Sequence, residues 1–287
     1  MHEILKRKID AARAYLQEKK GAAKRKDARY KQTQEIRLRG KTFSVFTRQM
    51  LWTIDKMQGL SVFQSKGVIM VSRKTLFEEI DDLVNEMPFN DQLVNNLAQV
   101  VQPTYKKGAR TVYKELAMAK QGVSFDLVNI PAAEYVARLK TLHLSNYKGS
   151  ISHDTKIRIR NIITEQINDG ASYQQAAQKI REQGEAGVFS KARAELIAVN
   201  QVGEGYAEGN HEMIDQFVAE THSIMQKEWI TTGDDRVTEE CQANQRQGWL
   251  NYEEHFSSGD SFAPRASNPR CRCDTGYRAV DTQGNPI

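Results

Sequence analysis

Residues 225–237 read Met-Gln-Lys-Glu-Trp-Ile-Thr-Thr-Gly-Asp-Asp-Arg-Val, and two different kinds of sequence meet at this stretch. Its first eight residues predict a strand over 225–232. Gly233, Asp234 and Asp235 then predict a turn, because glycine tolerates unusual backbone angles and aspartate accepts hydrogen bonds from nearby amides. The stretch therefore predicts a strand and a turn at the start of a separate structural unit.

That unit, residues 223–287, is called the C-terminal subdomain below. It is rich in Gly, Pro, Ser and Arg, and it contains all three cysteines and two of the three tryptophans of the chain. Such a composition predicts a small α+β, loop-rich unit that needs local stabilising contacts. The cysteines are Cys241, Cys271 and Cys273.

Residues 42–222, the helical body, show apolar residues at three- and four-residue steps, as in Phe43, Phe46 and Met50. This spacing predicts amphipathic helices whose stripes are packing faces rather than cofactor sites. Ser172 followed by Gln175 predicts a capping box at the start of one of them. The fold class is therefore predicted as mainly α, with a core large enough to form without disulfides.

Residues 1–41, the basic arm, hold 14 Lys and Arg against 5 Asp and Glu, whereas the whole chain carries a net charge of +5. Apolar residues are sparse there and Gly21 interrupts the helical spacing, so the arm is predicted as helical or disordered. Its basic run could contact DNA or an acidic partner, form a docking helix, or simply be a solvated face. The candidate residues are Lys24, Arg25, Lys26 and Arg29.

The composition also bears on location. The sequence has no run of 18 apolar residues, which predicts that no segment spans a membrane. No apolar run follows the first basic residues, so no secretory signal is predicted. Three cysteines in a chain of 287 residues do not form the pattern of a secreted disulfide framework. The expected location is the cytoplasm, or a particle assembled there.

Cys241, His255, Cys271 and Cys273 could together bind zinc through three thiolates and an imidazole. The Cys-x-Cys spacing is unfavourable for one ion if the segment is extended, although a loop could bring the two sulfurs together. Free thiols, or a disulfide from Cys241 to Cys271 or Cys273, remain open. No metal or other cofactor is assigned from the sequence.

Other residues with possible chemistry have plainer explanations. Asp234 and Asp235, with Glu239 and Glu240, could bind a cation or act as acid and base, but a turn explains the aspartates without chemistry. His211 and His222 are lone histidines expected near helix ends. No spacing indicates a catalytic arrangement, so the protein is predicted not to be an enzyme.

Three motifs in order resemble the phage Mu F-type minor head proteins. The first is Arg193-Ala194-Glu195-Leu196-Ile197-Ala198, the second is the strand and turn over 227–237, and the third is Asn268-Pro269-Arg270-Cys271-Arg272-Cys273. The likeness covers roughly residues 105–275. The chain departs from the family at Thr238, where the family often has the first cysteine of a Cys-x-x-Cys pair, and at Ser267 and Asn268, where it has a histidine. A four-ligand metal site would lose two ligands here.

The resemblance implies a virion protein of the phage head, assembled in the host cytoplasm, that binds the portal protein and assists head morphogenesis, DNA packaging or DNA ejection. Packaged DNA, scaffold and capsid protein are further implied partners. Trp229, Asp234, Asp235 and Arg236 would belong to the docking unit. Two alternatives are a nucleic-acid-binding protein that acts through the basic arm, and a metal-dependent enzyme of the C-terminal subdomain.

Overall fold

The computed structural model describes residues 2–64, 73–144, 151–264 and 268–287, with side chains described from residue 26 onward in the first helix. Helices dominate these residues and a small antiparallel sheet lies near the C-terminus. The prediction of a mainly α fold with a small α+β C-terminal subdomain is confirmed.

Helix α1 spans His2–Met57 and therefore joins the basic arm to the helical body without a break. Gly21, which was expected to interrupt the helix, lies within it. The last part of α1 enters the core, where Leu38, Val45 and Phe46 are fully buried. Burial of this apolar segment provides the stabilisation that the polar first part of α1 lacks.

The remaining helices of the body follow in chain order. The Ser172 hydroxyl accepts the amide of Gln175 and the Gln175 side chain accepts the amide of Ser172, so the predicted capping box is confirmed. Ser190 caps the last helix of the body by accepting the amide of Arg193 at 3.1 Å. The helices are α2 Ser61–Gln64, α3 Arg73–Asn85, α4 Asn90–Glu115, α5 Asn129–Leu144, α6 Ile151–Asn168, α7 Tyr173–Gln183 and α8 Lys191–Thr221.

Helices α4 and α8 cross at very close range because glycines lie at the contact. A Cβ atom added to Gly209 would lie 2.0 Å from the carbonyl oxygen of Tyr105. One added to Gly108 would lie 2.1 Å from the carbonyl oxygen of Tyr206. Gly209 of α8 and Gly108 of α4 thus serve the packing of the two helices, and α8 continues unbroken through its glycines to Thr221.

The sheet has the order β2-β1-β3, with β1 Ile224–Ile230, β2 Leu250–Asn251 and β3 Asp274–Val280, and both pairings are antiparallel. The predicted strand over 225–232 is therefore present, slightly shifted. Helix α9, Glu239–Arg246, lies between β1 and β2 in the sequence. Met225, Lys227 and Trp229 alternate along β1 and are all buried, as expected for one face of a strand.

Two apolar clusters fill the body and a third fills the C-terminal subdomain. Met225, Tyr252 and Ala279 of the subdomain pack into one cluster of the body, so the sheet rests on the helices. Trp229 belongs instead to the third cluster. None of the helices in the described part of the chain has the length and hydropathy of a membrane span.

Candidate functional site

The predicted turn after β1 is present, and hydrogen bonds order it. The amide of Val237 donates to the carbonyl oxygen of Asp234 at 3.2 Å. The carboxylate of Asp234 accepts from the Thr232 hydroxyl at 3.1 Å and from Arg236 Nη2 at 2.5 Å. The bond from Arg236 is the largest cause of the lowered pKa of Asp234. Asp235 and Arg236 are exposed, so the turn presents a fixed charged surface.

Trp229 anchors the subdomain directly behind this turn. Its side chain is 2 % exposed and meets Phe256 edge-on at 5.0 Å between ring centroids. Its cluster unites the two ends of the subdomain and contains Trp229, Cys241, Phe256, Ala263, Cys271 and Cys273. The turn and the cysteines also line one small cleft, so the structure brings together Trp229, the Asp234 turn and the cysteines.

The three sulfur atoms of Cys241, Cys271 and Cys273, called the three-thiol cluster below, lie within 4.8 Å of one another. Cys241 Sγ and Cys271 Sγ are 3.9 Å apart, and all three cysteines are buried and lie outside any disulfide of the described residues. Among the described residues, no other group of three or more potential metal ligands comes together in this way. A site for a soft metal cation is thus possible at the sulfurs.

A tight turn directly precedes the Cys-x-Cys sequence at 271–273. The amide of Cys271 donates to the carbonyl oxygen of Asn268 at 3.0 Å, and Arg270 adopts a positive φ of 70°. The turn ends at Cys271, three residues before β3 begins at Asp274. Cys241 comes from the first turn of α9, where its amide donates to the hydroxyl of the N-cap residue Thr238.

The environment of Cys273 keeps this thiol protonated in the metal-free protein. Its pKa is raised by a hydrogen bond with Cys271, by burial and by the charge of Cys271, whereas the indole N–H of Trp229 acts in the opposite direction. A reactive nucleophilic thiol needs a lowered pKa. Cys273 is therefore unsuited to be such a nucleophile.

His255 does not join the three-thiol cluster. Its side chain is exposed and its Nδ1 lies 3.2 Å from the hydroxyl of Ser261. Asp234, Asp235, Glu239 and Glu240 do not form a group of three ligand atoms either. Glu239 and Glu240 are exposed in the first turn of α9, where negative charge stabilises a helix.

The basic arm contacts the rest of the protein through residues one helical turn apart. Asp27 pairs with Lys107 of α4, Lys31 Nζ lies 3.1 Å from Asp274 of β3, and Glu35 pairs with Arg272 at 2.9 Å. Sequence reasoning missed these pairs, although the spacing of 27, 31 and 35 matches one face of a helix. This part of the arm is thus docked on the protein itself.

The candidate basic residues of the arm divide into two groups. Lys26 and Arg29 are exposed on α1. The side chains of Lys24 and Arg25 lie outside those that the structure describes, although the helix passes through both residues.

His211 lies inside α8, and the expectation that it is near a helix end is wrong. Its Nδ1 is 2.8 Å from the hydroxyl of Tyr252, which also donates to Asp215 at 2.5 Å. Burial lowers the pKa of His211. His222 is the C-cap of α8, with a positive φ of 54°, as expected for a residue that ends a helix.

Lys227 is a further residue that the sequence did not single out. It is 1 % exposed, and its amine lies 5.5 Å from the ring centroids of both Tyr252 and Phe256. Alternation along β1 could have predicted this burial, because Lys227 stands between Met225 and Trp229 on one face. Its position suits cation–π packing between the two clusters that the sheet joins.

Comparison with known proteins adds a family to this geometry. Residues 157–275 match the family model described as phage Mu protein F like protein. The match includes all three motifs and most of α6, and it confirms the resemblance over those residues. The expected likeness began earlier, near residue 105, and the match does not reach that far. Neither the search of curated proteins nor the search of solved structures found a match.

Proposed function

We propose, from the phage Mu F-like region at residues 157–275, that this protein is a minor component of a phage head that binds the portal protein. In this role it assists head morphogenesis and the packaging or ejection of DNA. Scaffold and capsid proteins are its other partners within the assembling head, and it acts by binding rather than by catalysis. The family match is the observation that carries the proposal.

The matched residues include α7, α8, β1, α9 and β2, which build most of the subdomain and one of the two central helices beneath it. A role shared with the family would thus involve the subdomain. Its most prominent feature is the turn over 232–237, where Asp235 and Arg236 are exposed while hydrogen bonds hold the backbone. A surface ordered in advance loses little entropy on binding. We therefore assign the portal contact to this turn.

Co-expression of the full chain with the portal protein of the same phage tests the proposal. The two proteins should co-purify, and imaging of the complex should find the C-terminal subdomain against the portal ring. Asp235→Lys should weaken the complex by about tenfold or more, because a reversed charge at an interface costs on the order of 1.4 kcal/mol or more.

Glu86→Lys provides the control. It reverses an equally exposed charge on the body, outside the matched residues, and should leave the complex intact. No co-purification of the unmodified pair would overturn portal binding. Equal effects of Asp235→Lys and Glu86→Lys would overturn the assignment of the contact to the turn.

The exposed side of α1 supports a second proposal, that the arm contacts packaged DNA. Asp27, Lys31 and Glu35 occupy the docked side, whereas Lys26 and Arg29 are exposed to solvent. Two basic residues separated by three positions share one side of a helix and can approach one phosphate backbone. Deleting the whole arm would also remove its contacts with the body, so a change restricted to the exposed side is the better test.

The double change Lys26→Glu and Arg29→Glu should weaken DNA binding and reduce the slope of log K against log salt by roughly 1.8, since each phosphate contact contributes roughly 0.9. The matched control reverses two exposed arginines elsewhere, Arg181 and Arg246. An unchanged salt slope in the arm variant would exclude DNA contact through these residues.

A further inference from the structure

We infer that the three-thiol cluster is a metal site: Cys241, Cys271 and Cys273 bind one zinc ion as thiolates, and a water molecule from the adjoining cleft is the fourth ligand. The inference is independent of portal binding, since either proposal can hold without the other. Three observations carry it: the spacing of the sulfurs, a buried donor in the same cluster, and the charge of the cleft.

The spacing fits a tetrahedral ion. With Zn–S bonds of about 2.3 Å, two sulfurs on one tetrahedral zinc ion lie about 3.8 Å apart. Cys241 Sγ and Cys271 Sγ are 3.9 Å apart, and the third sulfur completes a set within 4.8 Å. A disulfide would need an S–S distance of about 2.05 Å, so the observed distance suits a shared ion better. Small shifts of the sulfurs would bring all three to corners of one tetrahedron.

A buried indole provides the second observation. Trp229 Nε1 is buried and has no hydrogen-bond partner within ordinary distance among the described residues. The indole and Cys273 belong to the same buried cluster of the subdomain. A thiolate at Cys273 would accept this donor, as ligands of a metal commonly accept bonds from neighbouring groups. Asn268 Nδ2 donates to Cys241 Sγ in the same manner, at 3.8 Å.

The charge of the cleft suits a site of this composition. Three thiolates and one Zn²⁺ carry a net charge of −1, and three protons pass to solvent when the ion binds. Arg236, Arg270 and Arg272 line the cleft beside the sulfurs. Arg236 pairs with Asp234 and Arg272 with Glu35, so their charges are partly balanced. Arg270 adds a positive charge that can offset the negative site.

The position of the ligands gives the ion a structural task. Cys241 lies in α9, whereas Cys271 and Cys273 immediately precede β3. An ion bound to all three ties these distant segments together behind Trp229. The small buried cluster of the subdomain provides little apolar burial, and metal binding is a common means to stabilise such units.

Metal analysis of the full chain, purified without chelator and with reductant, tests the site. About one zinc ion per chain is expected. Substitution with Co²⁺ should produce the strong thiolate-to-metal absorption and the visible bands of a tetrahedral ion. Cys241→Ser, Cys271→Ser and Cys273→Ser should each lower the affinity for Co²⁺ by at least about tenfold.

His255→Ala is the matched control and should retain the metal, because the imidazole lies outside the cluster. Since a cysteine variant could fail to fold, alkylation of the unmodified protein provides a second measurement. Zinc should protect all three thiols from alkylation, and a chelator should expose them. A zinc content near zero even after equilibration with the ion, or a Cys241–Cys271 disulfide in freshly purified protein, would overturn the inference, and loss of metal in His255→Ala would overturn the ligand set.

Discussion

The helical body and the C-terminal subdomain are stabilised in different ways. The larger body cluster draws apolar side chains from α1, α3, α4, α6, α7 and α8. The subdomain cluster contains six buried residues, three of them cysteines, and depends on ordered turns around it. The body therefore folds through apolar burial, whereas the subdomain concentrates its stability in a few side chains. Single substitutions should accordingly have localised effects in the subdomain.

Strand β1 connects these two regions. Its inner face places Met225 in a cluster of the body and Trp229 in the cluster of the subdomain, with Lys227 between them. A change at one end of the strand should therefore disturb one region more than the other. Hydrogen exchange can measure this difference by comparing the backbone amides of β1 and β3 with those of α4 and α8.

The largest expected effect is that of Trp229→Ala. Truncation of a fully buried tryptophan costs about 3–5 kcal/mol of unfolding free energy, through lost burial and an unfilled cavity. We expect amides of β1 and β3 to exchange much faster, while those of α4 and α8 remain protected. Hydrogen exchange followed by mass spectrometry would measure this.

Trp249→Ala is the control within the same subdomain. Trp249 is only half-buried and lies under the guanidinium of Arg278 at 4.1 Å, so its loss should cost less. Uniformly faster exchange in both regions of the Trp229 variant would contradict the comparison and indicate one cooperative unit.

Gly209→Ala should produce the next largest effect, this time in the body. The added Cβ would approach the Tyr105 carbonyl oxygen to 2.0 Å, so α4 and α8 must separate. Overpacking of this kind costs about 3 kcal/mol. Chemical denaturation would measure the loss, and exchange should accelerate in α4 and α8 first.

Gly203→Ala provides the comparison on the same helix. There the nearest atom, Pro264 Cγ, would be 3.4 Å away, which is an ordinary contact. Alanine favours a helix over glycine by about 1 kcal/mol, so this variant should be as stable as the unmodified protein or more so. Equal losses at both positions would show that close packing is not the reason for Gly209.

A third pair of variants compares the N-capping hydrogen bond of one helix in the body with that of one helix in the subdomain. Ser172 caps α7 of the body and Thr238 caps α9 of the subdomain. Replacement of either by alanine should cost about 1 kcal/mol, since the cap satisfies an amide of the first turn. Thermal unfolding would reveal the difference: Thr238→Ala should also loosen Cys241, whose amide it caps. A larger effect for Ser172→Ala would argue against the subdomain as the more sensitive region.

Local sequence rules predicted the elements of both regions but not all of their contacts. The capping box at Ser172 and the turn at Asp234 depend on neighbouring residues, and the sequence predicted both. The docking of the arm through Glu35 and Arg272 depends on residues far apart in the chain, which periodicity alone does not pair. The tight turn before Cys271 likewise contains a positive φ at Arg270, a conformation unusual for that residue, which the sequence did not predict.

The smallest expected effect is a dependence of stability on pH. It should come from a carboxyl group of α8 and therefore affect the body more than the subdomain. Burial raises the pKa of Glu204 above its ordinary value of 4.5, so the folded protein holds this proton more tightly than the unfolded chain does. Its contribution to stability is therefore full below the ordinary pKa and is lost as the pH rises through the raised pKa. Glu204→Gln, which resembles the protonated form, should match the unmodified protein at low pH and exceed its stability at neutral pH.

Denaturation at a series of pH values would measure this difference, with Glu220→Gln, an exposed carboxylate near the end of α8, as the control for net charge. The gain should appear in the exchange of α8 amides and not in those of β3, because Glu204 lies on the body side of the sheet. A gain that is equal at all pH values would exclude ionisation of Glu204 as its cause. A gain in β3 as large as that in α8 would instead show that the two regions share their stability through β1.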